Sequence, residues 1–305
     1  MSSSGSIRHR CSVALRLIDS VTGGAPSVSG LKLSLGLLDE LNQATSARSL
    51  PPLHGRGLQH KGGGYYAASA LEPGHYVLTV DSPNYVRAQL QWTLEPQSSI
   101  PFQAELRLLP SPNYPYAERL TQIRCRCVDE QEQPVAGIEL LLHGIQPAAA
   151  RARLRRAAEA GATELYVRAT GVSPVAGESF MLLPESSTDD DSVASALLER
   201  IGIATREDDD EVRLEVSGER CWQLAEPLQH SYRAGASLLS LIQGQSDARG
   251  EALLVLPVMP GGVTDYRLST GEGDAAVQAQ LTLKEGEALR VELNIASGQA
   301  RIRNR

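Results

Sequence analysis

The residues with the strongest claim to chemistry lie between positions 147 and 247. Four arginines, Arg151, Arg153, Arg155 and Arg156, crowd one stretch, and two acidic runs follow, Asp189-Asp190-Asp191 and Glu207-Asp208-Asp209-Asp210-Glu211. Guanidinium groups at that density could hold a phosphate or a carboxylate, and carboxylates in runs could hold calcium. Neither run has the alternating ligands and turn glycine of an EF-hand loop, so both read as solvated loops that pair with the arginines or with a protein partner. Arg151, Arg153, Arg155, Arg156, Asp208, Asp209 and Asp210 are therefore the candidate interaction surface. Hydrolysis has one arrangement on paper, Ser246 and Asp247 with His230. GQSDARG, however, is not the Gly-x-Ser-x-Gly elbow that exposes a nucleophile. The histidines, His9, His54, His60, His75, His143 and His230, are dispersed and lack zinc-ligand spacing. No catalytic residue, cofactor or metal ligand is assigned.

Two further groups have structural readings. Gly62, Gly63 and Gly64 are not followed by Lys-Ser/Thr or by a helical pattern, so they form a turn and not a phosphate loop. Tyr65, Tyr66, Tyr76 and Tyr85 could stack on bases or sugars. With only two Phe and two Trp in the chain, they are needed as core anchors. Cys125 and Cys127, two apart on a strand-like run with Arg124 and Arg126 between and before them, share one face and read as buried thiols.

The elements that must position these groups are mostly short strands. Up to residue 109, runs such as SVALRLI, LKLSL, HYVLTV, VRAQLQWTL and FQAELRLL alternate, with no helix of ten residues. Residues 110–120 carry Pro110, Pro112 and Pro115 and form a linker. The text then restarts: IRCRCVDEQEQPVAGIELLL repeats the strand, Asp-initiated turn, Pro, Gly, strand order of SVALRLIDSVTGGAPSVSGLKLSL. About residues 145–245 interrupt this second copy. There the composition predicts helices at 147–162, at 191–202 capped by Asp191, and a short one at 235–242, with strands at 164–169, 178–184 and 211–218. The strand pattern resumes at 246–257.

GYYAASALEPGHYVLTVDSPNY resembles the hallmark of carboxypeptidase regulatory-like, or transthyretin-like, β-sandwich modules, with Leu71, Pro73, Gly74, Tyr76 and Tyr85 in the characteristic places. Asp247 to Glu251 resembles the same family's strand opener in the second copy. Met259, Pro260 and Gly261 stand near the expected Pro-Gly, with the tyrosine displaced to Tyr266. The resemblance implies antiparallel Greek-key sandwiches; with the boundaries and the interruption read above, the expectation is a mainly β protein of two tandem sandwiches, residues 1–109 and 121–305, the second carrying an α+β insertion. It also implies a non-enzymatic assembly protein of the kind found in phage tail-like or contractile injection particles. Its partners would then be other protein subunits, further copies of itself among them. A carbohydrate- or surface-binding adhesion module is the alternative, and an enzyme with its site in the insertion a third reading.

Charge and hydropathy bound these readings. A formal charge of −7 argues against broad capture of nucleic acid, and no run is apolar enough for a signal peptide or a membrane-spanning helix. The expectation is a protein made soluble in the cytoplasm, without membrane insertion.

Overall fold

The computed structural model describes residues 11–38, 57–96, 100–115, 120–146, 149–169, 178–183, 199–203, 220–256, 262–271 and 277–303. The chain divides into two compact units, Met1–Leu109 and Pro110–Arg305. Among the described residues both are built from β-strands, and no α-helix occurs.

The first unit holds seven strands: β1 (Cys11–Asp19), β2 (Lys32–Leu38), β3 (Gln59–Gly62), β4 (Tyr65–Ser69), β5 (Gly74–Asp81), β6 (Ala88–Leu94) and β7 (Phe102–Leu108). They form two sheets, ordered β3-β4-β1-β7 and β2-β5-β6. Alternation decides which side chains face in: Val13, Leu15 and Leu17 on β1 and Tyr76, Leu78 and Val80 on β5 are buried. Tyr76, Trp92 and Phe102 stack in sequence, with centroids 5.7 and 5.2 Å apart, so one Phe and one Trp of this aromatic-poor chain anchor this core. The pairing is antiparallel except for β1 and β7, which run parallel in register from Val13↔Phe102 to Asp19↔Leu108.

The second unit repeats this plan. β8 (Thr121–Val128), β9 (Glu139–Gly144), β16 (Glu251–Leu256), β17 (Val263–Thr270), β18 (Gln278–Lys284) and β19 (Ala288–Asn294) take the places of β1, β2, β4, β5, β6 and β7, and β20 (Gln299–Arg303) is added beside β19. Here too the first and last strands of the repeat, β8 and β19, pair in parallel. The core between these sheets contains Ile123, Cys125, Cys127, Leu140, Leu142, Leu254, Tyr266, Leu268, Leu281 and Val291 and has neither Phe nor Trp. Burial pushes the Cys127 thiol up to about 11 and the Cys125 thiol higher still, in keeping with packing groups.

The correspondence extends to single atoms. The Leu17 and Cys127 N–H groups donate to the carbonyls of Gly64 and Gly250 at 2.9 and 2.7 Å, each glycine standing just before its strand, β4 or β16. Two residues on, Asp19 and Asp129 turn the chain. Asp19 Oδ1 accepts from the Val21 N–H at 2.8 Å, and Asp129 Oδ1 accepts from the N–H groups of Gln131 and Gln133 at 2.9 and 2.8 Å. Asp247 repeats the Asp129 turn, accepting from Arg249 and Glu251 at 2.8 and 3.0 Å. Its fourth residue is Gly250 at φ +71°, where the Asp129 turn has Glu132 at φ +60°.

Among the described residues, the segment between β9 and β16 holds strands and no α-helix, which corrects the helices read there. Residues 150–154, within the predicted helix over 147–162, are the strand β10 (Ala150–Leu154). Residues 199–202 are β13 (Glu199–Gly202), and the predicted helix over 235–242 is the start of β15 (Ser237–Gln245). With β11 (Glu164–Ala169), β12 (Ser179–Leu183) and β14 (Arg220–Gln223), they give the order β13-β12-β15-β10-β11-β14. The ends of this row meet: Ile203 and Leu224 form an antiparallel bridge, and the Ala225 N–H donates to Gly202 O at 2.9 Å. The six strands thus close into a small barrel filled by Leu154, Leu165, Val167, Phe180, Leu182, Ile201, Trp222 and Leu238. Helix propensity differs among these residue types by at most about 0.7 kcal/mol each. Burying one leucine is worth roughly 1.5–3 kcal/mol, so the closed core decides. Asp191, proposed as a helix cap, the strand at 211–218 and Met259-Pro260-Gly261 lie outside the described residues.

One strand joins barrel and sandwich. The C-terminal half of β15 pairs with β9 from Leu241↔His143 to Gln245↔Glu139, and its N-terminal half pairs with β10 on that same edge and with β12 on the other. β9 and β10 are therefore successive stretches along one side of β15. A Cβ on Gly144 would fall on that of Ala149, so this close approach needs a glycine and a small residue. His143 is buried beside Gly144, its Nδ1 within 2.8 Å of Gly144 O.

Two outcomes test this description. Gly250→Ala should destabilise by more than about 1 kcal/mol, because its Cβ would meet Cys127 O at 2.5 Å at positive φ. Glu132→Gly should instead leave the denaturant midpoint unchanged or raise it. His143 is held below its usual 6.5 by burial first, with the Arg267 charge adding to it against the Gly144 carbonyl. The unfolded chain therefore takes up this proton first. The contribution is complete above about pH 6.5 and is lost as pH falls below it, so the drop in midpoint between pH 7 and 5 should shrink in His143→Gln.

Candidate interaction surface

The arginines predicted as an interaction surface are divided by the pleat of β10 and not spread along a helix. Arg151 is buried, and its Nη1 donates to Glu178 Oε1 at 2.9 Å, with side-chain exposures of 10% and 18%. This arginine is part of the structure. Arg153 points to solvent and stands opposite Arg168 across β10 and β11. Arg156 lies over the ring of Tyr166, 4.3 Å from its centroid, a cation–π contact on the barrel surface. Arg155 is exposed beside it. Asp208, Asp209 and Asp210 lie outside the described residues.

The remaining sequence candidates are held in structural roles. Ser246 is buried; its hydroxyl donates to Val135 O at 2.8 Å and accepts from the Ile138 N–H at 2.9 Å. Asp247 is occupied by its turn. Of the four tyrosines, Tyr66, Tyr76 and Tyr85 are buried. Tyr76 donates to Glu72 O at 2.6 Å, and Tyr85 donates to Asp19 Oδ2 at 2.9 Å, fastening the corner to the first aspartate turn. Burial is the main cause of the rise of the Tyr85 phenol to about 12. Tyr65 alone of the four faces solvent, 50% exposed, with the Arg16 guanidinium 5.5 Å from its ring centroid. Gly62, Gly63 and Gly64 all have positive φ and form the β3–β4 turn. Among the described residues, no three His, Cys, Asp or Glu stand together as a metal site, and no helix is long and apolar enough to cross a membrane.

The outer faces of the parallel-paired sheets carry charge in register. In the first unit Tyr65, Arg16 and Glu105 lie side by side on β4, β1 and β7, with Arg16 Nη1 3.0 Å from Glu105 Oε1. In the second unit Glu251, Arg126 and Glu292 occupy the corresponding places on β16, β8 and β19, with Arg126 Nη1 3.9 Å from Glu292 Oε2. The Arg–Glu pair is thus common to both repeats. One row further along, the second unit has Arg124 opposite Arg290. These two arginines border a groove of about 300 Å³ with Arg126, Glu251, Glu292 and Pro112. Sequence reading placed Arg124 and Arg126 on one strand with the cysteines but not Arg290 beside them. The strand alternation in LRVELN was available; the parallel register that joins positions 124 and 290 was not.

The Arg151–Glu178 pair gives a test of structural against surface roles. Arg151→Ala should cost roughly 3 kcal/mol, because it breaks a largely buried ion pair. Arg153→Ala should stay within about 0.5 kcal/mol. Urea denaturation of the full chain distinguishes the two.

No protein-family model matches the chain, and no curated protein matches it. Solved structures that match include a streptococcal ancillary pilin, 11% identical, covering 98% of this chain and all of that one with a TM-score of 0.22. The shaft pilin SpaA of Lactobacillus rhamnosus GG is 9% identical, with coverage of 93% and 97% and a TM-score of 0.24. BcpA, the major pilin subunit of Bacillus cereus, is 10% identical, with coverage of 95% and 100% and a TM-score of 0.25. At these identities and TM-scores the matches assign the chain no role.

Proposed function

We propose that this chain is a non-catalytic structural protein that works through protein–protein contacts as a subunit of a larger assembly. The observation that carries the reading is the use the fold makes of its reactive side chains. Ser246, Asp19, Asp129 and Asp247 fix turns, Cys125 and Cys127 fill a core, and the barrel interior is packed with apolar groups. Charged side chains stand in register on outer sheet faces, where a protein partner can meet them. The sequence resemblance suggests a phage tail-like or contractile injection particle as the setting. A specific observation favours adhesion as the second reading: exposed Tyr65 with Arg16 beside it is an aromatic face next to a cation, a combination suited to a sugar or an anionic surface group.

Affinity purification of the tagged chain from its own cells, followed by electron microscopy and light scattering, tests the proposal. The expected result is a particle of repeated subunits. A free monomer without protein partners, combined with glycan-array binding abolished in Tyr65→Ala, would replace assembly by adhesion.

A further inference from the structure

We propose that the open edge of β2 pairs with β2 of a second copy of this chain, joining two three-stranded β2-β5-β6 sheets edge to edge about a two-fold axis. The inference deepens the assembly reading and rests on it in treating the chain as a subunit. Its test uses the purified chain alone, so a negative result would end this contact without touching assembly through other proteins.

The two sandwiches differ at this edge. In the second unit β9 has a neighbour on each side, β17 and β15, the latter antiparallel from Leu241↔His143 to Gln245↔Glu139. In the first unit β2 pairs with β5, and among the described residues no strand pairs with its other edge. The leucines register the difference. Leu33, Leu35 and Leu37 stand opposite Val80, Leu78 and Tyr76 of the core and so face inward. Leu33 and Leu35 are only half-buried and Leu37 is 40% exposed, whereas Leu140 and Leu142 of β9 are fully buried. An open edge is usually blunted by a proline, a bulge or charges along its length. β2 has neither proline nor bulge: it pairs with β5 over seven residues without a register shift, and its one charged residue, Lys32, is its first.

The residues of the strand indicate what fits. Around Leu35, KLSLGLL reads alike in both directions, with a small residue, Ser34 or Gly36, on either side and a leucine, Leu33 or Leu37, beyond it. An antiparallel pair centred on Leu35 therefore sets Leu33 against Leu37 of the second copy, Leu35 against its own equivalent, and Ser34 against Gly36. The two-fold axis of that pair stands perpendicular to the sheet, so both leucine rows lie on the core side and the small residues meet on the other. Lys32 of each copy falls at opposite ends of the pair, and no like charges are opposed. A surface that is complementary to itself is what a symmetric dimer requires.

Analytical ultracentrifugation of the full chain, with amide hydrogen exchange at the same concentrations, tests the proposal. A reversible dimer is expected, in which the alternate amides of residues 33–37 that point to the open edge exchange more slowly as the dimer fills. Leu37→Lys puts a charge into the leucine row at its most exposed position and should raise the dissociation constant at least about tenfold, with the far-UV circular dichroism of the parent retained. Ile302→Lys, at an exposed position of the edge strand β20, should leave the dimer unchanged. The proposal is overturned if the chain is monomeric at every concentration, if a dimer forms without slowing the β2 amides, if folded Leu37→Lys dimerises like the parent, or if Ile302→Lys is the variant that abolishes the dimer. Slow β2 amides in a monomer overturn it equally, since another segment of the same chain would then hold the edge. Where Leu37→Lys does not fold, the exchange of the parent chain decides.

Discussion

Residues 237 to 245 must satisfy two hydrogen-bonding programmes at once, and the architecture of the second unit follows from that. The last five residues of β15 lie against β9 of the sandwich, the first three lie between β10 and β12 of the barrel, and the pairing with β12 continues to Leu241. Leu238 enters the barrel core, while Leu239 packs with Ala149 and Ala150 in a separate small cluster at the junction. A strand with both faces covered needs apolar residues on both, and Leu238, Leu239 and Leu241 provide them. Because β9 and β10 follow each other along a single edge of β15, the barrel is continuous with the sandwich sheet and not tethered to it. Cutting out the whole insertion to Gln245 would strip the sandwich of a sheet neighbour, whereas the barrel's own closure, through Ile203 and Leu224, lies at its far side.

The same run explains why this region was the least legible part of the sequence. Alternation gives away a strand with one wetter face, which is why β1, β8, β17 and β19 could be read directly from runs such as RCRCV and LRVELN. Alternation vanishes when both faces are dry, so Leu238 to Ile242 looks as much like a helix as a strand. β10 misleads in another way, because alanines and arginines are strong helix formers and its small residues are chosen for close approach at Gly144 and Ala149. β3 and β20 are polar edge strands whose pairing partners, and not their own residues, make them strands. The aspartate turns and the Pro-Gly corner were legible because their residues act locally. For the candidate site the local part was again readable, an arginine-rich stretch at 151–156. Its division into buried Arg151 and exposed Arg153 depends on a pleat that the helical reading did not contain.

Duplication supplies a way to separate charges the fold needs from charges it merely tolerates. Where both repeats agree, the interaction is part of the sandwich. The Gly64 and Gly250 carbonyls accept from Leu17 and Cys127, the aspartates turn the chain two residues later, and an arginine on the first strand meets a glutamate on the last. The Arg–Glu pair links the two parallel strands of each repeat, β1 with β7 and β8 with β19, a pairing that no tight hairpin could make. Where the repeats differ, the sandwich plan itself does not dictate the residue. Tyr65 faces solvent where the second repeat has Glu251, and Arg124 with Arg290 stands where the first has Ala14 with Gln103. The barrel is the largest difference of this kind, inserted between β9 and β16 where the first repeat runs from β2 to β3. Function in such a chain is therefore to be sought in what one repeat has and the other lacks, since the shared residues are already occupied in holding two sandwiches closed.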